Sequence, residues 1–112
     1  MATAADLRRA ALALEGTTEH RHFDRAAFKA VRIYVTLARD GKTANFKFTP
    51  EEQEFKCMLV PQAFAAIPNA WGRQGWTTAT LSKLSKAELR DALKIAYAHG
   101  TAKKTKKTTK KR

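Results

Sequence analysis

Cysteine is nearly absent from this chain of 112 residues: Cys57 stands alone. An intrachain disulfide is thereby excluded, which agrees with a reducing compartment without requiring one. No window approaches the ~20 apolar residues that a membrane helix needs. The opening MATAADLRR has no apolar stretch followed by a small-residue cleavage site. From these absences we expect a soluble, cytoplasmic protein with no membrane partner. The chain also lacks a GxSxG nucleophile motif, a phosphate loop, a dinucleotide fingerprint and any internal repeat. Acidic residues are few, 10 Asp and Glu against 22 Lys and Arg, and the formal net charge is +12. An excess of that size points toward polyanionic partners.

Much of the excess sits at one end. Thr101 to Arg112, TAKKTKKTTKKR, holds Lys103, Lys104, Lys106, Lys107, Lys110, Lys111 and Arg112, with no acid and no residue large enough to anchor a core. Like charges at this density repel one another and bury nothing, which predicts a disordered tail that engages phosphates. The tail carries seven of the formal +12, so residues 1–100 keep +5. A hundred residues suffice for one domain with one core and are too few for two. The expected organisation is one domain over 1–100 and a tail over 101–112.

Within the domain, Thr3 and Asp6 have capping-box spacing and lead into Leu7, Ala11 and Leu14 at helical intervals, with Gly16 as the cap that ends the helix. From Ala27 to Leu37 the helical period is lost and a β-branched alternation takes over, which predicts strands. Asp40-Gly41 supplies a two-residue hairpin turn, and Thr43 to Phe48 returns as the partner strand. On that strand Phe46 and Phe48 share the face to be buried, while Asn45 and Lys47 share the other. Thr49-Pro50-Glu51-Glu52 is a helix start, with Phe55, Met58 and Leu59 following on one face and Pro61 ending the helix. Thr77 to Leu81 reads as a further strand. Ser85 and Glu88 cap a terminal helix with Leu89, Ala92, Leu93, Ala96 and Tyr97 on its face and Gly100 at its end. The order predicts an α+β fold, an antiparallel sheet with two main helices packed on one face.

Five segments together carry a resemblance: ALALEG (Ala11 to Gly16), HFDRAAF (His22 to Phe28), the stretch from Thr36 to the Asp40-Gly41 turn, NFKFTPEEQ (Asn45 to Gln53) and AWGRQGWTTATL (Ala70 to Leu81). Over roughly residues 7–98 the chain resembles the MmcQ/YjbR family of small bacterial proteins. The resemblance implies a CyaY-like, frataxin-type fold and a DNA-binding role. Two departures concern the first hairpins: Asp24 and Ala26 stand where the family often has glycine and proline, and the turn at Lys29-Ala30-Val31-Arg32 is one residue shorter. The lysine tail is an addition to the family pattern.

Arg25, Lys29, Arg32, Arg39, Lys42 and Lys47 are expected along one sheet edge and its turns, a positive strip suited to a phosphate backbone. The plain alternative is that charges on exposed strands keep a sheet soluble and unpaired. In Trp71-Gly72-Arg73-Gln74-Gly75-Trp76 the tryptophans are expected to pack, with Trp76 in the core, and the glycines to flank a loop tip. There Arg73 can fork onto phosphate and Gln74 can reach a base edge. His20 and His22 fall on one side of a strand without a third metal ligand beside them, and Cys57 has no histidine at an activating spacing. Asp6 and Glu15 alone on the first helix do not make a hard-cation site. No cofactor, metal or catalytic residue is expected. The reading is a non-catalytic nucleic-acid-binding protein, DNA before RNA, for which a monomer suffices. Its alternative is a protein-interaction or regulatory module whose tail holds polyanions nonspecifically.

Overall fold

Three helix starts carry the capping signal, and all three boxes form. Thr3, Thr49 and Ser85 each accept from the backbone N–H of the acid three residues on, Asp6, Glu52 and Glu88, whose carboxylates accept in return from the cap's own N–H. The computed structural model describes residues 1–102. The elements are α1 (Ala4–Leu12), β1 (Thr18–His22), β2 (Arg25–Lys29), β3 (Ile33–Leu37), β4 (Thr43–Lys47), α2 (Pro50–Leu59), β5 (Phe64–Ala66), α3 (Ala70–Arg73), β6 (Trp76–Thr80), a 3-10 turn at Leu81–Lys83, and α4 (Lys86–Thr101). All six strands join one antiparallel sheet in the order β1-β2-β3-β4-β6-β5. The fold is α+β, as expected. The tail residues from Lys103 to Arg112, and the disorder expected of them, lie outside the described residues.

Register sorts the side chains between the two sheet faces. Phe28 pairs with Val35, Val35 with Phe46, and Leu37 with Ala44, so these five share one face. They are buried together with Phe48, Phe64 and Ala79 under Leu7 and Ala11 of α1 and Leu89, Ala92, Leu93 and Ala96 of α4. The register slips between Phe28 and Lys29, giving β3 one extra residue there. Such a bulge re-aims a side chain. Here it brings Tyr34 to the helix side beside Val35, where its ring meets Tyr97 edge-on at 5.5 Å and its hydroxyl bonds Thr17 Oγ1 at 2.8 Å. The short turn that follows β2 is closed by α4 itself, whose Gly100 carbonyl accepts from both Val31 and Arg32 N–H.

Four local expectations change. Helix α1 ends at Leu12, before Gly16, because Leu14 and Thr17 N–H turn back onto Ala11 and Leu14 carbonyls; Gly16, at φ +80°, serves the loop that follows. The hairpin after β3 closes at Ala38 N–H to Thr43 O, so its loop includes Arg39 and Lys42 as well as Asp40-Gly41. Gly100 is no helix cap: α4 continues through it to Thr101. A Cβ there would meet the Tyr34 ring at 2.6 Å, so close packing and not chain reversal calls for glycine.

The fourth concerns α2, whose Phe55, Met58 and Leu59 lie exposed rather than buried. Polar anchors set the roll of that helix. Gln53 Nε2 donates to the carbonyls of Gly72 at 2.9 Å and Trp76 at 3.0 Å. Lys56, buried, lies against the Phe64 ring and pairs with Asp91 of α4. Cys57 and Val60, not the three larger residues, pack against the core.

Two substitutions test this packing. Gly100→Ala overpacks the Tyr34 contact and is expected to cost about 1–3 kcal/mol. Met58→Ser, on the exposed side of α2, should change stability by less than ~0.5 kcal/mol. Thermal unfolding of both variants decides it, and a larger loss for Met58→Ser would return α2's apolar side to the core.

Candidate nucleic-acid interface

Helices α1, α2 and α4 pack on one side of the sheet, and among the described residues only the short α3, through Trp71 at the Trp76 corner, meets the other face. By register, that face carries Thr18, His20 and His22 from β1, Arg25, Ala27 and Lys29 from β2, and Ile33 and Thr36 from β3, with Ala27 and Thr36 themselves buried. It continues with Thr43, Asn45 and Lys47 from β4, Trp76, Thr78 and Thr80 from β6, and Ala65 from β5. None of these is acidic. Glu19, the one carboxylate on β1, falls on the opposite face, where Arg8 of α1 grips it through Nε at 3.0 Å and Nη2 at 3.0 Å. Thr78 Oγ1 donates to Asn45 Oδ1 at 2.8 Å across β4 and β6, tying two of the polar side chains together.

The expected positive strip divides between the two ends of this face. Arg25, Arg39 and Lys42 stand at the end that holds the β1–β2 and β3–β4 turns, whereas Lys29, Arg32 and Lys47 stand at the other. At the first end a cleft of about 800 Å³ opens between those two turns and the start of α1, with Arg8, Arg21, Arg25 and Arg39 on its walls among Glu19, Asp24 and Asp40. Arg25 lies inward, its Nε donating to Thr36 Oγ1 at 2.9 Å. Burial lowers its guanidinium pKa, against the pull of Asp24 and Asp40. Phe23, 85% exposed and held at φ +59°, caps the β1–β2 turn with the His22 ring beside it at 4.8 Å.

The second end is built around the tryptophan motif, where the structure replaces the expected loop tip with a helix. Asn69 caps the short α3 by accepting from Trp71 and Gly72 N–H, and Gln74 closes it. The two glycines are required by close backbone approach. A Cβ on Gly72 would fall 1.6 Å from Ile67 O, and one on Gly75, at φ +110°, 1.9 Å from Phe48 O. Arg73 and Gln74 are both exposed. Trp76 is not in the core: it is half-buried on the outward face opposite Lys47, because the buried phase of β6 belongs to Thr77 and Ala79.

Lys47 spans this corner. Its Nζ donates to Gln74 O at 3.1 Å and lies 5.9 Å from the Trp76 ring centroid. Trp71, 58% exposed, meets Trp76 edge-on at 6.3 Å. Burial lowers the Lys47 amine's pKa and neighbouring Arg32 lowers it further, while Glu52 works the other way. Glu52 is itself bonded to His99 Nε2 at 2.8 Å. Burial alone would raise the Glu52 carboxyl, but hydrogen bonds from Thr49 and His99 and the charge of His99 hold it below the usual value.

Sequence reasoning passed over Trp71 and Trp76 as surface groups, and Arg8, Arg21 and Phe23 altogether. Arg21 had a usable signal, since it alternates with His20 and His22 on a strand. Among the described residues no three His, Cys, Asp or Glu side chains gather as a metal site, and no helix is long and apolar enough to cross a membrane. Cys57 is half-buried, and burial raises its thiol pKa.

A family model described as YjbR matches residues 12–99. The crystal structure of Deinococcus radiodurans protein DR2400, a DUF419-domain protein, is similar with a TM-score of 0.80 at 26% sequence identity, covering 96% of this chain and 84% of that one. No curated protein matches the chain.

Glu52 gives the second end a pH signature. A carboxyl with a folded-state pKa below its unfolded value stabilises the fold above the ordinary carboxylate range, and that contribution is lost as pH falls through the folded value. Glu52→Gln should therefore show a shallower fall in thermal midpoint than wild type between about pH 6 and about pH 3. Parallel curves would mean that the Glu52 carboxylate, held by Thr49 and His99, contributes nothing to acid stability.

Proposed function

Because the chain belongs to the YjbR family, we propose that it is a non-catalytic nucleic-acid-binding protein, DNA before RNA, which holds phosphates with its outward sheet face and its lysine-rich tail. The observation that carries the reading is the charge pattern of that face. Arg25, Lys29 and Lys47 lie on it with no carboxylate at any outward strand position. A surface meant only to stay soluble needs charges of either sign, whereas one that tracks a phosphate backbone needs a single sign. Arg32, Arg73 and Gln74 border it at the tryptophan end, and Arg39 and Lys42 at the other. The tail adds Lys103, Lys104, Lys106, Lys107, Lys110, Lys111 and Arg112, and with them a contribution that does not depend on base sequence.

The same reading takes the fold as CyaY-like. Its support is that α1 and α4, the first and last helices, bracket the strands in sequence and pack beside each other on one face. It also places the protein in the cytoplasm, where a nucleic-acid partner and a lone reduced cysteine are both accommodated.

One observation favours a second reading, a protein-interaction module with a polyanion-binding tail. Phe55, Met58 and Leu59 leave an apolar strip on α2 exposed, and such strips are common where a partner docks.

A titration over a salt series separates the two. Removing residues 103–112 should flatten the dependence of log affinity on log salt by up to about six units on duplex DNA, at roughly −0.9 per neutralised phosphate. In that shortened protein Lys29→Glu with Arg32→Glu reverses two exposed charges at one end of the face. Binding should weaken on every sequence tried, because phosphate contacts position a protein without reading bases. A shortened protein that is folded and binds no nucleic acid near physiological salt would hand the sheet face to the second reading.

A further inference from the structure

From the corner formed by α3, β4 and β6, we infer that this protein binds single-stranded nucleic acid by stacking an unpaired base on Trp71. The inference rests on the nucleic-acid reading above and narrows its substrate. An indole that is 58% exposed is unusual on a small domain, and this one is held rather than loose. Its backbone N–H is bonded to the Asn69 cap at 2.9 Å. The ring meets Trp76 in a T-shaped arrangement at 6.3 Å, and with the residue 58% exposed, surface of Trp71 is left uncovered. Gly72 cannot be replaced without striking Ile67 O, so the turn that presents the ring has one backbone path.

The two tryptophans have different parts. Trp76 lies beneath Lys47, whose ammonium is 5.9 Å from the ring centroid, so that ring already has a cation against it. Trp71 keeps the free surface. Lys47 is tethered to Gln74 O at 3.1 Å, and Arg73 is exposed one residue before Gln74. Arg32 lies close enough to lower the Lys47 pKa, and the nearby carboxylate, Glu52, is engaged by His99. An aromatic platform flanked by cations is what sequence-tolerant single-strand binding requires, because every base has a π-face and every nucleotide a phosphate. Paired bases in a duplex are stacked on one another and offer no such face, so Trp71 has nothing to add there. The local charge favours a nucleic acid over an apolar protein partner at this ring.

The test uses the full chain, with a twelve-nucleotide oligothymidine and a duplex of mixed sequence as probes, at a salt concentration high enough to screen much of the tail's phosphate contribution. Trp71→Ala should weaken binding to the single strand by roughly 5- to 150-fold and leave the duplex within about twofold. Trp71→Phe should recover most of the loss, since a smaller ring still stacks. Binding of oligothymidine to wild type should quench indole fluorescence, and the quench should shrink in Trp71→Ala. Equal losses on both probes, or no loss on the single strand, overturn the inference and leave the ring as a docking surface for a protein. A wild-type protein that binds neither probe overturns the parent reading as well. Duplex binding that ignores Trp71, together with unaltered single-strand binding, removes only this one.

Discussion

The packed hydrophobic cluster of the described residues lies on one side of the sheet, and that one-sided burial governs the rest. Phe28, Val35, Leu37, Ala44, Phe46 and Phe48 face the helices, and Tyr34 is brought round to join them by a bulge. Because side chains alternate along a strand, committing those residues inward sends Lys29, Asn45, Lys47 and Trp76 outward with no further choice. A one-residue slip would exchange the two sets and expose three large aromatics. The register that makes the core therefore also composes the opposite face.

The fit of α4 against the sheet carries this arrangement to its end. Gly100 lies so close to the Tyr34 ring that no side chain fits between them, and its carbonyl ties down Val31 and Arg32 N–H. One residue thus joins the last helix, the core and the turn that holds Arg32. The place where the described chain ends is consequently fixed relative to Arg32 and Lys47. Both stand at the tryptophan end of the sheet.

How much of this was legible in the sequence follows from which forces leave a mark in it. The capping boxes were readable at Thr3, Thr49 and Ser85 because a cap is made by residues three apart. The Asn45–Phe48 alternation was readable because its two phases differ sharply in polarity. Strand β6 was harder: Thr77 and Ala79 face inward while Thr78 and Thr80 face outward, so polarity does not tell the phases apart, and Trp76 was given to the core. Helix α2 was misread for a related reason. Its apolar residues mark a face, but Gln53 and Lys56 find partners at Gly72, Trp76 and Asp91, residues 19 to 35 positions away. Long-range polar satisfaction leaves no periodic trace. Positive charges were easy to count, yet their division between two ends depends on strand pairing that no local pattern encodes.

The geometry also bears on how the tail and the folded body can act together. Residues 103–112 follow directly from α4 at the end where Arg32, Lys47 and the tryptophans stand. A ten-residue segment spans at most about 35 Å, and the body itself measures 43 × 30 × 27 Å along its principal axes. Under the proposed function, phosphates bound by residues 103–112 stay within that span of the end of α4, which is fixed beside Arg32. Two weak sites joined in this way, if both bind as proposed, act as one, since a strand captured by either is presented to the other at high effective concentration. On the proposed reading, then, the tail would supply encounter and affinity, and selection among nucleic-acid forms would fall to the corner where Trp71 is exposed and Lys47 is fixed.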